Sequence, residues 1–232
     1  MHQPHAEPRR SIYYRYQVHA PWLASAHPPQ DRKKVVIVGA GPIGLVAALE
    51  LARLGVPCVL LESELQVSEG SRAIVFTRRS MEILQQVGVD APITANGLPW
   101  RFGNSFYRGQ RVYRMEAPHD PDDRFFPMIN LQQQYLEQYL TEAVLANPLI
   151  EMRWGNRVTR VDPNDGFVRV DVDTPEGPYS LESDWLVASD GARSGIRSMR
   201  MSAITKRPSY EAPSRFRSII ARMPERAPSD AT

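Results

Sequence analysis

Residues 35–62, VVIVGAGPIGLVAALELARLGVPCVLLE, constrain this chain more than any other stretch. A β-branched apolar run, Val35–Val38, meets Gly39-Ala40-Gly41-Pro42-Ile43-Gly44, then a helical stretch, then a second apolar run ending in Glu62. The pattern predicts a strand–turn–helix–strand unit shaped for a dinucleotide. Gly39 permits the tight turn, Gly41 lets backbone N–H groups approach a pyrophosphate, and Gly44 lets the helix pack closely on the strand. The helix N-terminus then presents its positive dipole end to the phosphates. Glu62 lies 18 residues after Gly44, where a carboxylate accepts from a ribose 2′-OH and disfavours a 2′-phosphate, so NAD or FAD fits this site better than NADP. The motif alone does not separate the two.

The chain has 232 residues, 42% hydrophobic and 23% charged, which places it among globular proteins of one or two domains. No apolar run reaches the ~18 residues of a membrane span, and the polar, proline-bearing N-terminus does not resemble a secretory signal. A single cysteine, Cys58, cannot form an internal disulfide, which fits a reduced cytoplasmic setting. The histidines are scattered, so no metal site is expected. Residues 1–34 carry six Lys/Arg against two acids, and residues 200–232 seven against three. The arginines follow no helical face and have no aromatic stacking platform, so solvated terminal segments fit better than a nucleic-acid surface.

Periodicity divides the chain further. Residues 1–33, with several prolines, Tyr13, Tyr14, Tyr16 and Trp22, read as an irregular arm whose aromatics pack on a surface. Helices are expected from about Pro42 to Leu54, Arg79 to Val87 and Leu131 to Leu145. Strands are expected at Val35–Val38, Cys58–Glu62, Trp100–Tyr107, Arg111–Glu116, 150–161, 167–173 and Trp185–Ala188. The expected division is an arm over 1–33, a nucleotide-binding domain over 34–199 with inserted strands at about 92–125, and a basic, poorly ordered tail over 200–232.

A second signal is Ala188-Ser189-Asp190-Gly191-Ala192-Arg193-Ser194, where a buried strand feeds directly into an Asp-Gly turn. Asp190 would sit at the strand's carboxyl end, where open α/β sheets bind ligands. With Gly39–Gly44 and Glu62, with Gly70-Ser71-Arg72-Ala73-Ile74, and with Gln133-Gln134-Tyr135-Leu136, this block resembles the single-component FAD-dependent aromatic hydroxylases. That family includes para-hydroxybenzoate hydroxylase, and the likeness is to its 3-(3-hydroxyphenyl)propionate hydroxylase type. The resemblance covers roughly residues 35–199.

The resemblance implies an α/β fold: a Rossmann-like FAD-binding domain carrying part of an inserted mixed or antiparallel substrate-side sheet. It implies that Gly39, Gly41, Pro42 and Gly44 hold the FAD pyrophosphate and Glu62 the adenosine ribose. Ser71 and Arg72 would lie along the cofactor, Gln133 would contact it, and Asp190 and Gly191 would serve both FAD and a passing nicotinamide nucleotide. It implies reduction of FAD by NADH or NADPH, reaction with O₂ to a flavin C4a-hydroperoxide, and oxygen transfer to a phenolic or aromatic small molecule. No catalytic residue is assigned.

Members run longer and carry a later Gly-Asp block, and this sequence contains no Gly-Asp dipeptide. From about Met199 the likeness is expected to stop, with the C-terminal half of the family fold missing. A truncated or frame-shifted, catalytically incompetent FAD-binding fragment is therefore the alternative to a working monooxygenase. A different flavoprotein of the same fold is a third reading. A plain NAD-dependent dehydrogenase would leave the Arg72 and Asp190 blocks as coincidences.

Overall fold

A computed structural model of the chain describes residues 1–27, 31–69 and 74–198, and the backbone of 219–221. Its elements run β1 (Lys33–Val38), α1 (Pro42–Arg53), β2 (Cys58–Leu61), β3 (Val75–Thr77), α2 (Arg78–Gln86), α3 (Asp90–Asn96), β4 (Leu98–Trp100), β5 (Phe102–Tyr107) and β6 (Gln110–Glu116). They continue with β7 (Met128–Asn130), α4 (Gln133–Leu145), β8 (Ile150–Arg153), β9 (Arg157–Asn164), β10 (Phe167–Thr174), β11 (Gly177–Ala188) and β12 (Ile219–Ala221). They form two compact units, one from Met1–Val67 with Val144–Thr232 and one from Ser68–Ala143.

The first unit grows from the opening motif. Val35–Val38 and all four residues of β2 are buried, as strands covered on both faces of a parallel sheet must be. β1 pairs parallel with β2 on one side and β11 on the other, and β8 adds parallel to β2. β9, β10 and β11 form an antiparallel meander, giving the order β8-β2-β1-β11-β10-β9. Helix α1 packs against β1 and β2, with the Cys58 Sγ 4.0 Å from Ala48 O.

Chain length dictates the shape of this sheet. β8 and β9 are consecutive in sequence yet stand at opposite ends of the strand order. In a flat sheet they would lie five strand spacings apart, roughly 24 Å. The link between Arg153 and Arg157 reaches at most ~14 Å. The meander must therefore fold back over the parallel layer. The core confirms it: Val168, Val170, Val172 and Leu181 of the meander share one buried cluster with Val36, Val38, Val59, Leu61, Leu186 and Ala188. Tyr179 of β11 accordingly reaches back to β8, accepting from Arg153 Nη1 at 2.9 Å.

The expected single strand over 150–161 is thus two strands. The apolar phase of Ile150, Met152 and Trp154 is interrupted at Asn156, just after a corner at Trp154-Gly155, where Gly155 takes φ +71°. Within the segment expected as a tail, Ile219–Ala221 pairs antiparallel with Leu186–Ala188 of β11, and the rest of that segment lies outside the described residues. The apolar Ile219-Ile220-Ala221 run, isolated among polar residues, supplies the strand-forming segment.

The arm of residues 1–27 holds no regular element beyond a 3₁₀ turn at Ala24–Ala26. It is tied to the first unit at β8 and β11. Trp22 lies over the guanidinium of fully buried Arg153, 3.8 Å from ring centroid to Cζ, and His19 stacks on Trp154 at 4.4 Å. Glu151 neutralises Arg153 at 2.8 Å, so the buried cation is paired as its burial requires.

In the second unit, β3 and β4 flank β7 in an antiparallel sheet. Thr77 caps α2, whose Met81 and Leu84 are buried. Arg78 holds the 118–125 loop, pairing with Asp123 at 2.7 Å and donating to Phe125 O at 3.2 Å. The expected strand at Trp100–Tyr107 divides at Arg101. Trp100 stays with β7, its indole N–H donating to Asn130 Oδ1 at 2.7 Å, while β5 pairs with β6 in a separate hairpin.

Candidate functional site

The Gly39–Gly44 turn joins β1 to α1 at the carboxyl edge of the parallel layer. Two neighbouring loops fix its backbone. From the β2 side, Gly39 N–H donates to Leu61 O at 2.8 Å and Ala40 N–H to Glu62 Oε2 at 2.8 Å. From the β11 side, Ser189 N–H donates to Val38 O at 2.9 Å, and Ser189 Oγ lies 2.8 Å from Val38 O and 3.0 Å from Gly39 O. Gly39, Gly41, Pro42, Gly44, Glu62, Asp190 and Gly191 are thereby brought to one edge of one unit.

The three glycines do different things. Gly39 takes φ +97°, and a Cβ there would stand 2.6 Å from Ser189 O. A Cβ on Gly44 would stand 1.9 Å from Gly39 O, so this helix can only sit so close to the turn with a glycine. Gly41 is the opposite case: a Cβ there meets nothing within 4 Å. Its freedom is not needed for packing, and the space beside it is open to an approaching group.

Among the described residues, that open space faces a helix end with no side-chain cap. Gly41 caps α1 with no side-chain hydrogen bond, Pro42 contributes no N–H, and the first turn carries no acid. The N–H groups of Ile43 and Gly44 have no intrahelical acceptor, and no acid in the helix's own first turn offsets the dipole's positive end. An anion fits there, which is the demand a pyrophosphate makes.

Glu62 is half-buried beside the turn. Its Oε2 accepts from Ala40 N–H, and its Oε1 accepts from Glu64 N–H at 2.9 Å and from the Ser63 hydroxyl at 3.1 Å. A carboxylate offers about four acceptor positions, so these bonds fix its orientation and leave capacity for a diol. Asp190 Oδ2 accepts from Ile196 N–H at 3.3 Å, which joins the Asp-Gly turn to the helical turn after it, and Arg193 is exposed.

Gln133 belongs to the second unit, at the first residue of α4. Its Nε2 donates to Glu137 Oε1 at 2.6 Å, and the buried Glu137 also accepts from Ser68 N–H at 2.7 Å. Ser71 and Arg72 lie outside the described residues. Ser189 was not assigned a role by sequence reasoning, although its contacts lock the β11 loop to the glycine turn. The signal was its place immediately before Asp190-Gly191 on a strand neighbouring β1. Among the described residues no His, Cys, Asp and Glu group could hold a metal ion, and no helix is long and apolar enough to cross a membrane.

A parallel β–α–β unit with a tight glycine turn, an open helix N-terminus and an acid ending the second strand defines a Rossmann-like dinucleotide-binding protein. More narrowly, the chain belongs to the FAD-binding domain family, whose model matches residues 32–224. The match corrects the expected end of the likeness near Met199, and β12 falls within the additional matched segment. The chain is 32% identical over 169 residues to para-nitrophenol 4-monooxygenase of Pseudomonas sp. strain WBC-3, a match covering 70% of this chain and 41% of the relative. It is 30% identical to a 3-(3-hydroxy-phenyl)propionate/3-hydroxycinnamic acid hydroxylase of Mycolicibacterium smegmatis, covering 70% of this chain and 29% of that one. The crystal structure of p-nitrophenol 4-monooxygenase from Pseudomonas putida DLL-E4 superposes with a TM-score of 0.68 at 30% identity, over 73% of this chain and 43% of that chain. The chain thus spans less than half the length of these relatives.

Proposed function

We propose that this chain is the FAD-binding part of a monooxygenase that hydroxylates a phenolic or other aromatic small molecule, with NADH or NADPH as reductant and O₂ as oxygen donor. The observation that carries the reading is the empty approach at Gly41 between an uncapped helix N-terminus and the oriented carboxylate of Glu62. FAD, when bound, would accept a hydride from the nicotinamide and activate O₂ for transfer of one oxygen atom to the ring. The chain's own part is to bind and orient. Ile43 and Gly44 N–H groups would receive the pyrophosphate, and Glu62 would accept from the adenosine ribose. Asp190 and Gly191 are proposed as further cofactor contacts, as are Ser71, Arg72 and Gln133. The lone, buried Cys58 suits a reducing compartment.

The kinship with enzymes named as aromatic monooxygenases supports this reading over other flavoproteins. The first test is the visible spectrum of the purified protein with and without added FAD. Flavin absorbance at near-equimolar occupancy is expected, and a protein that remains colourless with excess FAD overturns the reading. NADH and NADPH oxidation is then followed with phenols, measuring hydroxylated product and hydrogen peroxide separately. Peroxide without product for every phenol tested would defeat the monooxygenase assignment while leaving FAD binding intact.

A further inference from the structure

Residues 1–27 precede the segment matched by the family model, yet much of their bonding converges on one segment, Ser63–Val67, directly after Glu62. His2 Nε2 lies 2.7 Å from Ser63 O, and His19 N–H donates to Leu65 O at 2.7 Å. Arg9 donates through Nη1 to Val67 O at 2.7 Å and pairs through Nη2 with Glu64 at 3.1 Å. Gln66 is the hub: its Oε1 accepts from Arg9 N–H at 3.0 Å, and its Nε2 donates to Glu7 O at 2.9 Å. It is only 2% exposed.

The same segment holds Glu62 from within. Ser63 Oγ and Glu64 N–H both donate to Glu62 Oε1. The segment is therefore bonded to the arm on one side and to the ribose-binding carboxylate on the other. A carboxylate on a loose segment would have to be ordered when the nucleotide arrives, and that ordering weakens binding.

We infer that the N-terminal arm is a positioning element of the nucleotide site: through Gln66 and Arg9 it fixes Ser63–Val67, and so aims Glu62 at the ribose 2′-hydroxyl. This rests on the FAD-binding reading of Glu62. Gln66 and Arg9 are positioning residues, since neither is placed against the nucleotide.

The probes are ADP and 2′-deoxy-ADP, titrated by calorimetry into the full chain and into its Gln66→Ala and Arg9→Ala variants. The full chain should prefer ADP by about tenfold, the worth of one hydrogen bond to a charged acceptor. Both variants should lose most of that preference, to about twofold or less, with 2′-deoxy-ADP affinity nearly unchanged. A merely structural role would weaken both nucleotides together, and that result overturns the inference. A preference retained in both variants overturns it as well. If Gln66→Ala fails to fold, Arg9→Ala alone decides, since Arg9 is only half-buried and its guanidinium bonds to Val67 O and the Glu64 carboxylate. A full chain that binds neither ADP nor FAD overturns the nucleotide reading itself, and one that binds ADP without preference overturns the ribose role of Glu62.

Discussion

At the residue scale, the glycine turn separates requirements of folding from requirements of binding. Gly44→Ala would push a methyl group to 1.9 Å from Gly39 O, a backbone atom that cannot move without disturbing β1. It should destabilise the protein by ~3 kcal/mol or more, read as a fall in urea midpoint. Gly41→Ala meets nothing within 4 Å and should change stability by less than ~1 kcal/mol. It should nonetheless weaken FAD at least about tenfold, because its methyl would occupy the approach proposed for the pyrophosphate. Equal effects of the two substitutions on the urea midpoint would contradict this division. Cys58 gives an independent check. It is 5% exposed, and burial pushes its thiol up to about 11. At pH 8 only about a thousandth would be thiolate, the reactive form. Native protein should stay unmodified by an aromatic disulfide reagent on a timescale that fully labels the chain in urea; similar rates in both would show that the β2 face is open. The close packing at Gly39 and Gly44 and the place of Glu62 beside the turn were legible because the turn's geometry is local. Ser189 was not, because its worth lies in reaching carbonyls about 150 positions away.

At the scale of elements, the same contrast recurs. The β1–α1–β2 unit could be read from periodicity and punctuation alone. The break between β8 and β9 was not read, because its local signal is slight, a Gly155-Asn156 pair between two alternating stretches, while chain reach and strand order make the corner necessary. The three-residue strands β3, β4 and β7 carry too few residues for any period. Helix α3 was hidden by Pro92, which reads as a breaker but sits in the helix's first turn, where a missing N–H costs nothing. The arm makes a pH prediction at this scale. Burial against Trp154 lowers the His19 pKa from its ordinary value. The unfolded arm therefore takes up a proton before the docked arm does. Docking stability should be complete above pH ~6.5 and fall as the pH drops through the lower folded value. Amide hydrogen exchange over residues 14–27 should accelerate relative to β1 between pH 7.5 and 5, after correction for intrinsic rates. His19→Phe, which keeps a stacking ring without the proton, should flatten the profile; a profile unchanged by that substitution would assign the dependence to another group.

At the scale of the whole molecule, the first unit's stability and its ligand are linked. Its parallel layer and folded-back meander share one apolar cluster, and the glycine turn is bonded to loops from both β2 and β11. A nucleotide held at that turn therefore stabilises the native unit as a whole and has no corresponding site in the unfolded chain. At a free ligand concentration of 100 times Kd the gain is ~2.7 kcal/mol, which for a unit of this size corresponds to a rise in Tm of roughly 5–10 °C. FAD should produce that rise and Glu62→Gln should reduce it, while NAD at the same concentration should produce a smaller one if the chain is tuned to the flavin nucleotide. The ordering matters more than the size. A larger shift with NAD than with FAD would be consistent with the fold and the glycine turn but would contradict the family's cofactor. No shift with any dinucleotide would mean that the open helix end at Gly41, though built for an anion, is not where this chain holds one.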